Sequence, residues 1–152
     1  MTVAVRQLIV LIVDDDPGDV LLVREVLERA GHTRAVHVAS NGQEAVDFLR
    51  RRGEYTGVPR PDIVLLDLNM PHKDGRQVLA EIKTDQGLLG IPTLVFTASQ
   101  DPADIAKSYS LHANAYITKP VNLDALTDVV IRIEEFFAQV AALPTPADAT
   151  SS

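Results

Sequence analysis

The chain has 152 residues, with 14 Lys and Arg against 21 Asp and Glu for a formal charge of −7, a length and composition that fit one globular domain. The acidic balance disfavours binding to phosphate backbones, so nucleic acid is not expected as a partner. Zero Cys excludes disulfide frameworks, thiolate metal sites and Cys nucleophiles, and fits a reducing compartment such as the cytoplasm.

The longest apolar run, Leu8–Val13, has six residues, far short of the roughly 20 that cross a bilayer, so no membrane span is expected. Rich in Ile and Val and ended by Asp14, Asp15, Asp16 and Pro17, it reads as a strand buried on both faces. The aspartates stand where a signal peptide would need small residues and a cleavage site, so secretion is not expected either. Asp16 is placed to cap a helix and Pro17 suits its first turn. Val20, Val23, Val26, Leu27 and Ala30 keep helical spacing until Gly31 stops it. Val36 and Val38 alternate with polar neighbours as a second strand. Asn41 with Glu44 forms a capping pair for a helix through Ala45, Val46 and Leu49 to about Arg52. Arg50, Arg51 and Arg52 suit a helix C-terminus facing water, and Arg60 extends that patch toward an acidic partner.

Gly53 to Pro61 holds two Gly and two Pro and reads as a loop. Ile63–Leu66 is a third strand, ended by Asp67. After Met70-Pro71 and a turn at Asp74-Gly75, the residues Val78, Leu79 and Ile82 mark a helix. Leu94 to Phe96 is a fourth strand, ended by Thr97. Asp101-Pro102 opens a helix containing Ile105, Tyr109 and Leu111. Ala115 to Thr118 is the last strand, closed by Lys119-Pro120, and Asn122 begins the final helix. His32, His37, His72 and His112 lack ligand spacing and read as surface or turn residues. Residues 1–143 are expected to form one domain with an extended C-terminal helix. Residues 144–152, with two Pro and no large apolar side chain, read as a flexible tail. Nothing after residue 143 resembles a helix-turn-helix or an effector domain, so any control of transcription would be indirect.

Strands and helices alternating five times predict an α/β fold, a parallel sheet with helices on both faces. Such sheets bind ligands beyond the carboxyl ends of their strands. Asp14 and Asp15 end the first strand, Asp67 the third, Thr97 the fourth and Lys119 the fifth. Three carboxylates brought together would repel unless a cation shared the site. Oxygen ligands alone favour a hard ion, and Mg²⁺ suits two or three carboxylates and a phosphate oxygen. Lys119 supplies a second positive charge, Thr97 a hydroxyl, and Asp67 a carboxylate able to accept a phosphoryl group.

Asp16 and Asp19 read as helix-capping residues rather than as metal ligands. With Val13-Asp14-Asp15, Leu66 to Pro71 followed by Asp74-Gly75, Phe96-Thr97-Ala98 and Tyr116 to Pro120 in this order and register, residues 8 to about 140 resemble the receiver domain of two-component response regulators. The resemblance implies a doubly wound five-stranded sheet of order 2-1-3-4-5. It implies that a sensor histidine kinase phosphorylates Asp67, and that Asp15 binds Mg²⁺ directly while Asp14 helps through water. The Asn69 backbone carbonyl would complete the metal site. Lys119 would pair with the phosphoryl group, its bond to Pro120 would be cis, and Thr97 with Tyr116 would form the switch. Asn69 and Ser99 stand where the family tunes autodephosphorylation.

A narrower set, Asp16 to Asp19, Arg60-Pro61-Asp62, Asn69 to Arg76, Ser108 to Asn114 and Glu134 to Phe137, resembles the small stand-alone regulators partnered with phytochrome-type histidine kinases. Such a protein is a phosphoacceptor rather than an enzyme acting on other substrates. Two alternatives stay open: a hydrolase with an aspartyl-phosphate intermediate, which usually has an acid where Asn69 stands, and a phosphorylation-independent binding module. In the last helix, Leu126, Val130, Ile133, Phe137 and Val140 form one stripe, with Val129, Ile133, Phe136, Val140 and Leu143 beside it. A helix apolar over more than one face predicts a homodimer through this helix and the fourth helix or fifth strand.

Overall fold

The computed structural model describes residues 6–144, so the expected tail lies outside the described residues from position 145. Five strands, β1 (Leu8–Val13), β2 (Thr33–Ala39), β3 (Ile63–Leu66), β4 (Thr93–Thr97) and β5 (Ala115–Thr118), form one sheet of order 2-1-3-4-5. Every pairing is parallel. The helices between and after them are α1 (Pro17–Ala30), α2 (Gly42–Leu49), α3 (Gly75–Thr84), α4 (Pro102–Ser110) and α5 (Leu123–Glu135). The fold class expected from alternating elements is the one observed.

Strand alternation divides the core into two layers. Leu11 and Val13 of β1 face α2 and α3 with Val64, Leu66 and Val95. Leu8, Val10 and Ile12 face α1 and α5 with Ile63, Leu65, Leu94 and Phe96. All six residues of β1 are buried, as a strand covered on both faces requires. Each fully buried Leu or Ile contributes about 1.5–3 kcal/mol of transfer free energy.

Short polar side chains set where the helices begin. Asp16, Asn41, Asp74, Asp101 and Asn122 each accept a backbone N–H from the first turn of the helix that follows. At Asp74 the Gln77 side chain returns the bond to the cap's own N–H, closing a capping box. The Gly53 to Pro61 loop contains a short 3₁₀ turn at Gly53–Tyr55.

Two expectations about the C-terminal part are corrected. The Lys119–Pro120 bond is trans, as is every peptide bond among the described residues, rather than cis. Trans is the intrinsically favoured isomer by about 0.5–1 kcal/mol. The last helix passes into a π-helical turn over Phe136–Val140, closed by Ala141 N–H on the Phe136 carbonyl at 2.7 Å. A π turn adds a residue and rotates the apolar face. Ala138 is consequently buried while Val140, assigned to both predicted stripes, is 73% exposed.

Helix α4 ends in a Schellman turn. His112 takes φ 71°, its N–H meets the Tyr109 carbonyl, and Ala113 N–H meets that of Ser108. The left-handed region disfavours any Cβ. His112→Gly is expected to stabilise the fold by about 0.5–1 kcal/mol net of glycine's backbone entropy, read as a shift in urea midpoint at constant slope.

Candidate phosphorylation and metal site

The sheet order reverses at β1, with β2 on one side and β3 on the other, so a crevice opens where their helix connections diverge. Asp14 and Asp15 leave β1 there and Asp67 leaves β3. Their carboxylate oxygens lie within 4.8 Å of one another, and no other acidic or His cluster of three or more ligands occurs among the described residues. Asp14 is buried, Asp67 half-buried and Asp15 exposed. Asp14 Oδ1 accepts the Asp16 N–H at 2.9 Å, which turns the chain sharply into α1.

Lys119 crosses from the end of β5 and ties the pocket together. Its Nζ donates to Asp14 Oδ2 at 2.7 Å, Asp19 Oδ2 at 3.1 Å and Asp67 Oδ2 at 3.3 Å. The side chain is only 8% exposed. Burial alone would lower its pKa, but the hydrogen bond to Asp14 and the charges of Asp67 and Asp14 override this and hold it above the usual lysine range. Burial pushes Asp14 the other way, above the usual carboxylate range, against the lowering pull of Lys119 and the Asp16 N–H. Lys119 also lies 5.8 Å from the centre of the Phe96 ring.

Thr97 closes the opposite side. Its hydroxyl donates to Asp67 Oδ1 at 2.7 Å, and the Asn69 N–H meets the same oxygen at 3.2 Å. Asp67 thus has one oxygen toward Thr97 and one toward Lys119. The Tyr116 hydroxyl donates to the Ser99 carbonyl at 2.9 Å, fixing the loop between β4 and α4. Ser99 Oγ in turn donates to Asp104 Oδ2 at 2.6 Å, and Arg76 of α3 pairs with the other Asp104 oxygen. Ser99 and Arg76 together hold the Asp104 carboxyl below its ordinary range.

All the predicted polar side chains, Asp14, Asp15, Asp67, Thr97 and Lys119, therefore converge on one pocket with the Asn69 backbone, while Tyr116 bonds the loop after β4. Two groups escaped the sequence reading. Asp19 caps nothing and instead joins Lys119, while Asp16 is the capping residue. An acid in a helix's first turn already suits the dipole, so nothing in the sequence marked it. The bridge from Arg76 through Asp104 to Ser99 spans two helices and a loop and carries no local signature.

A five-stranded doubly wound sheet whose central crevice gathers an acidic cluster, a hydroxyl and a buried lysine is the architecture of a phosphoacceptor signalling domain. The chain belongs to the response regulator receiver domain family, which it matches over residues 10–131. It is 43% identical over 136 residues to the response regulator Rcp1 of Synechocystis sp., covering 90% of this chain and 92% of that protein. The crystal structure of the phosphorylated cyanobacterial phytochrome response regulator RcpA superposes with a TM-score of 0.88 at 45% identity, covering 91% of this chain and 99% of that one. The Mn²⁺-bound form of Rcp1 superposes with a TM-score of 0.86 at 43% identity, with the same coverage. Receiver domains hold a divalent metal at an acidic pocket of this kind, and the three clustered carboxylates here offer the hard oxygen donors such an ion needs. No helix among the described residues is long and apolar enough to cross a membrane.

Proposed function

We propose that the protein is a cytoplasmic response regulator that takes a phosphoryl group on Asp67 from a sensor histidine kinase, the phosphodonor being of the phytochrome type. The convergence of Lys119 and Thr97 on the two oxygens of Asp67 is the observation that carries this reading. A kinase phosphohistidine docks over the carboxyl ends of β1 and β3. An Asp67 oxygen forms a new bond to phosphorus as the bond to the imidazole nitrogen breaks, leaving an acyl phosphate and neutral histidine. Asp14, Asp15, Asp67 and the Asn69 carbonyl would hold Mg²⁺, which supplies positive charge to the phosphoryl oxygens. Lys119 offsets the added charge, and the Thr97 hydroxyl re-aims from Asp67 Oδ1 to a phosphoryl oxygen. That movement of Thr97 is passed on through Tyr116 and Ser99 to α4, changing the face that partners meet. Kinship with proteins named phytochrome response regulators supports a light-controlled donor.

The test is phosphotransfer from histidine kinases, a light-responsive one included, and from a small acyl phosphate, to wild type and Asp67→Asn. Wild type is expected to take up one phosphoryl group in a reaction that stops on removing divalent cations, and the variant none. Sustained phosphate release instead of single labelling would point to the hydrolase alternative. Equal labelling of both proteins would end the proposal.

The output surface also favours self-association. Tyr109 on α4, with Phe136 and Val140 after α5, leaves large apolar side chains in water. Beside them an apolar hollow of about 680 Å³ runs between edge strand β5 and α5, walled by Ile117, Val129, Ile133, Phe136 and Phe137. A homodimer through this face is expected by sedimentation at tens of micromolar, and Phe136→Asp should leave a monomer.

A further inference from the structure

The pole of the sheet opposite Asp67 gathers a second concentration of charge that phosphorylation does not use. Because all the strands are parallel, the residues leading into them meet at this end. Arg6 before β1, Arg34 at the start of β2, Arg51 after α2 and Arg60 before β3 line one cavity of about 260 Å³. A chain of net charge −7 thus places four of its 14 basic residues around a single small space. The one acid there among the described residues is Asp62, already engaged by Arg6 at 2.5 Å and by the Ile9 N–H at 2.8 Å. Among the described residues, Arg34, Arg51 and Arg60 form no ion pair. Arg60 is anchored instead, donating to the Gly87 carbonyl at 2.5 Å. Burial, and then the charge of Arg51, hold its pKa below the usual guanidinium value, so the group is crowded by like charge.

The backbone provides an independent observation. Arg51 sits at φ 55° in the Schellman turn that ends α2, its N–H on the Phe48 carbonyl and that of Arg52 on Asp47. Glycine is the usual residue at that position, and this chain does use glycine two residues later, at Gly53, where φ is 58°. Arg51 thus places a long cation at the cavity wall in a position where glycine is usual. Pro59, Pro61 and Pro92 stiffen the walls, and the buried Ile9 and Ile91 form an apolar floor.

We propose that this cavity is a binding site for a small anion carrying a diphosphate group, either inorganic or borne by a nucleoside. Planar guanidinium forks match phosphate oxygens, and several of them around one half-open cavity match a multivalent anion better than a single carboxylate. Asp62, neutralised by Arg6, leaves the net field of the cavity positive.

The full-length chain is titrated, without divalent cations, with inorganic pyrophosphate and separately with adenosine diphosphate, following amide NMR shifts and heat. Saturable binding that weakens with salt is expected, with shifts clustered at residues 34, 51, 60 and 90 rather than at 14, 67 and 119. Equal affinity for the two ligands means that phosphate alone is read. Tighter binding of the nucleotide means that its base lies on the Ile9 and Ile91 floor. Arg34→Ala with Arg51→Gly should weaken binding about tenfold or more while leaving phosphotransfer to Asp67 unchanged. Arg51→Gly alone should raise the melting temperature and still weaken binding, whereas an arginine kept only for structure would lower the melting temperature when lost. Absence of saturable binding up to about 5 mM of either ligand, or shifts confined to the Asp67 pocket, overturns the proposal.

Discussion

Lys119→Met is expected to destabilise the metal-free protein by about 3–5 kcal/mol at neutral pH, the cost of removing one partner from a buried charge cluster. For a chain of this length that corresponds to a melting temperature lower by about 10 °C. Methionine keeps the length and apolar stem of lysine, so little packing is lost. What goes is the one cation that, among the described residues, pairs with Asp14, Asp19 and Asp67. The pH dependence separates this cause from a packing defect. Asp14 is held above its ordinary value first by burial, so the native state holds its proton more tightly than the unfolded chain does. Its stabilising contribution is complete below the unfolded value of 3.8 and is lost as pH rises through the raised folded one. Lys119, also raised, contributes throughout the range below the unfolded 10.5, and that contribution fades only in alkali. Removing it lifts Asp14 further, so over the range above pH 3.8 the variant should lose stability with rising pH more steeply than wild type. Added divalent cation should recover part of the loss, and phosphotransfer should fall by about 10²-fold or more. Urea midpoints with and without the ion, across that pH range, measure all but the last. Parallel curves for the two proteins would mean that the cluster does not share its charge as the distances imply.

The same cluster marks how far local sequence could be read. Asp14, Asp15, Asp67, Thr97 and Lys119 were legible because they stand at the carboxyl ends of predicted strands, and parallel topology carries all those ends to one edge. The caps at Asp16, Asn41, Asp101 and Asn122 were legible for a similarly local reason: an oxygen one residue ahead of a helical pattern satisfies its free N–H groups. Asp19 lies 100 residues from Lys119, and no periodicity encodes that meeting. The π turn after Glu135 was equally hidden, because Phe136, Phe137 and Val140 suit a continuing α-helix. Only packing of Ala138 against the α1 and α5 layer, and the bond from Arg6 N–H to the Ala138 carbonyl at 3.1 Å, reveal the register change. The arginines at 51 and 60 read as a solvated patch, and the cavity they share appears only once the loop before β3 is folded back on α2. What was missed is therefore tertiary in origin.

Gly75→Ala should be the most damaging small substitution near the site. A Cβ there would lie 2.2 Å from the Asp67 carbonyl oxygen and 2.6 Å from Leu68 Cα. Both neighbours are backbone, so no flexible side chain can give way. The Gly75 N–H also meets the Leu68 carbonyl at 3.0 Å, which clamps the start of α3 onto the residues that follow β3. Relieving the overlap requires α3 or the Asp67–Leu68 backbone to move, at the upper end of the roughly 1–3 kcal/mol that overpacking costs. Either movement carries the Asp67 carboxylate away from Thr97 and Lys119, and a displacement on the order of 1 Å can slow a positioned reaction by about 10²-fold. Gly57→Ala is the matched control: nothing lies within 4 Å of its added Cβ, and its stability should change by no more than about 0.5 kcal/mol. Rates of Asp67 labelling at saturating acyl phosphate, measured beside urea midpoints for both variants, test the coupling. Labelling of Gly75→Ala at the wild-type rate despite lowered stability would show that this close approach braces the fold without aiming the acceptor.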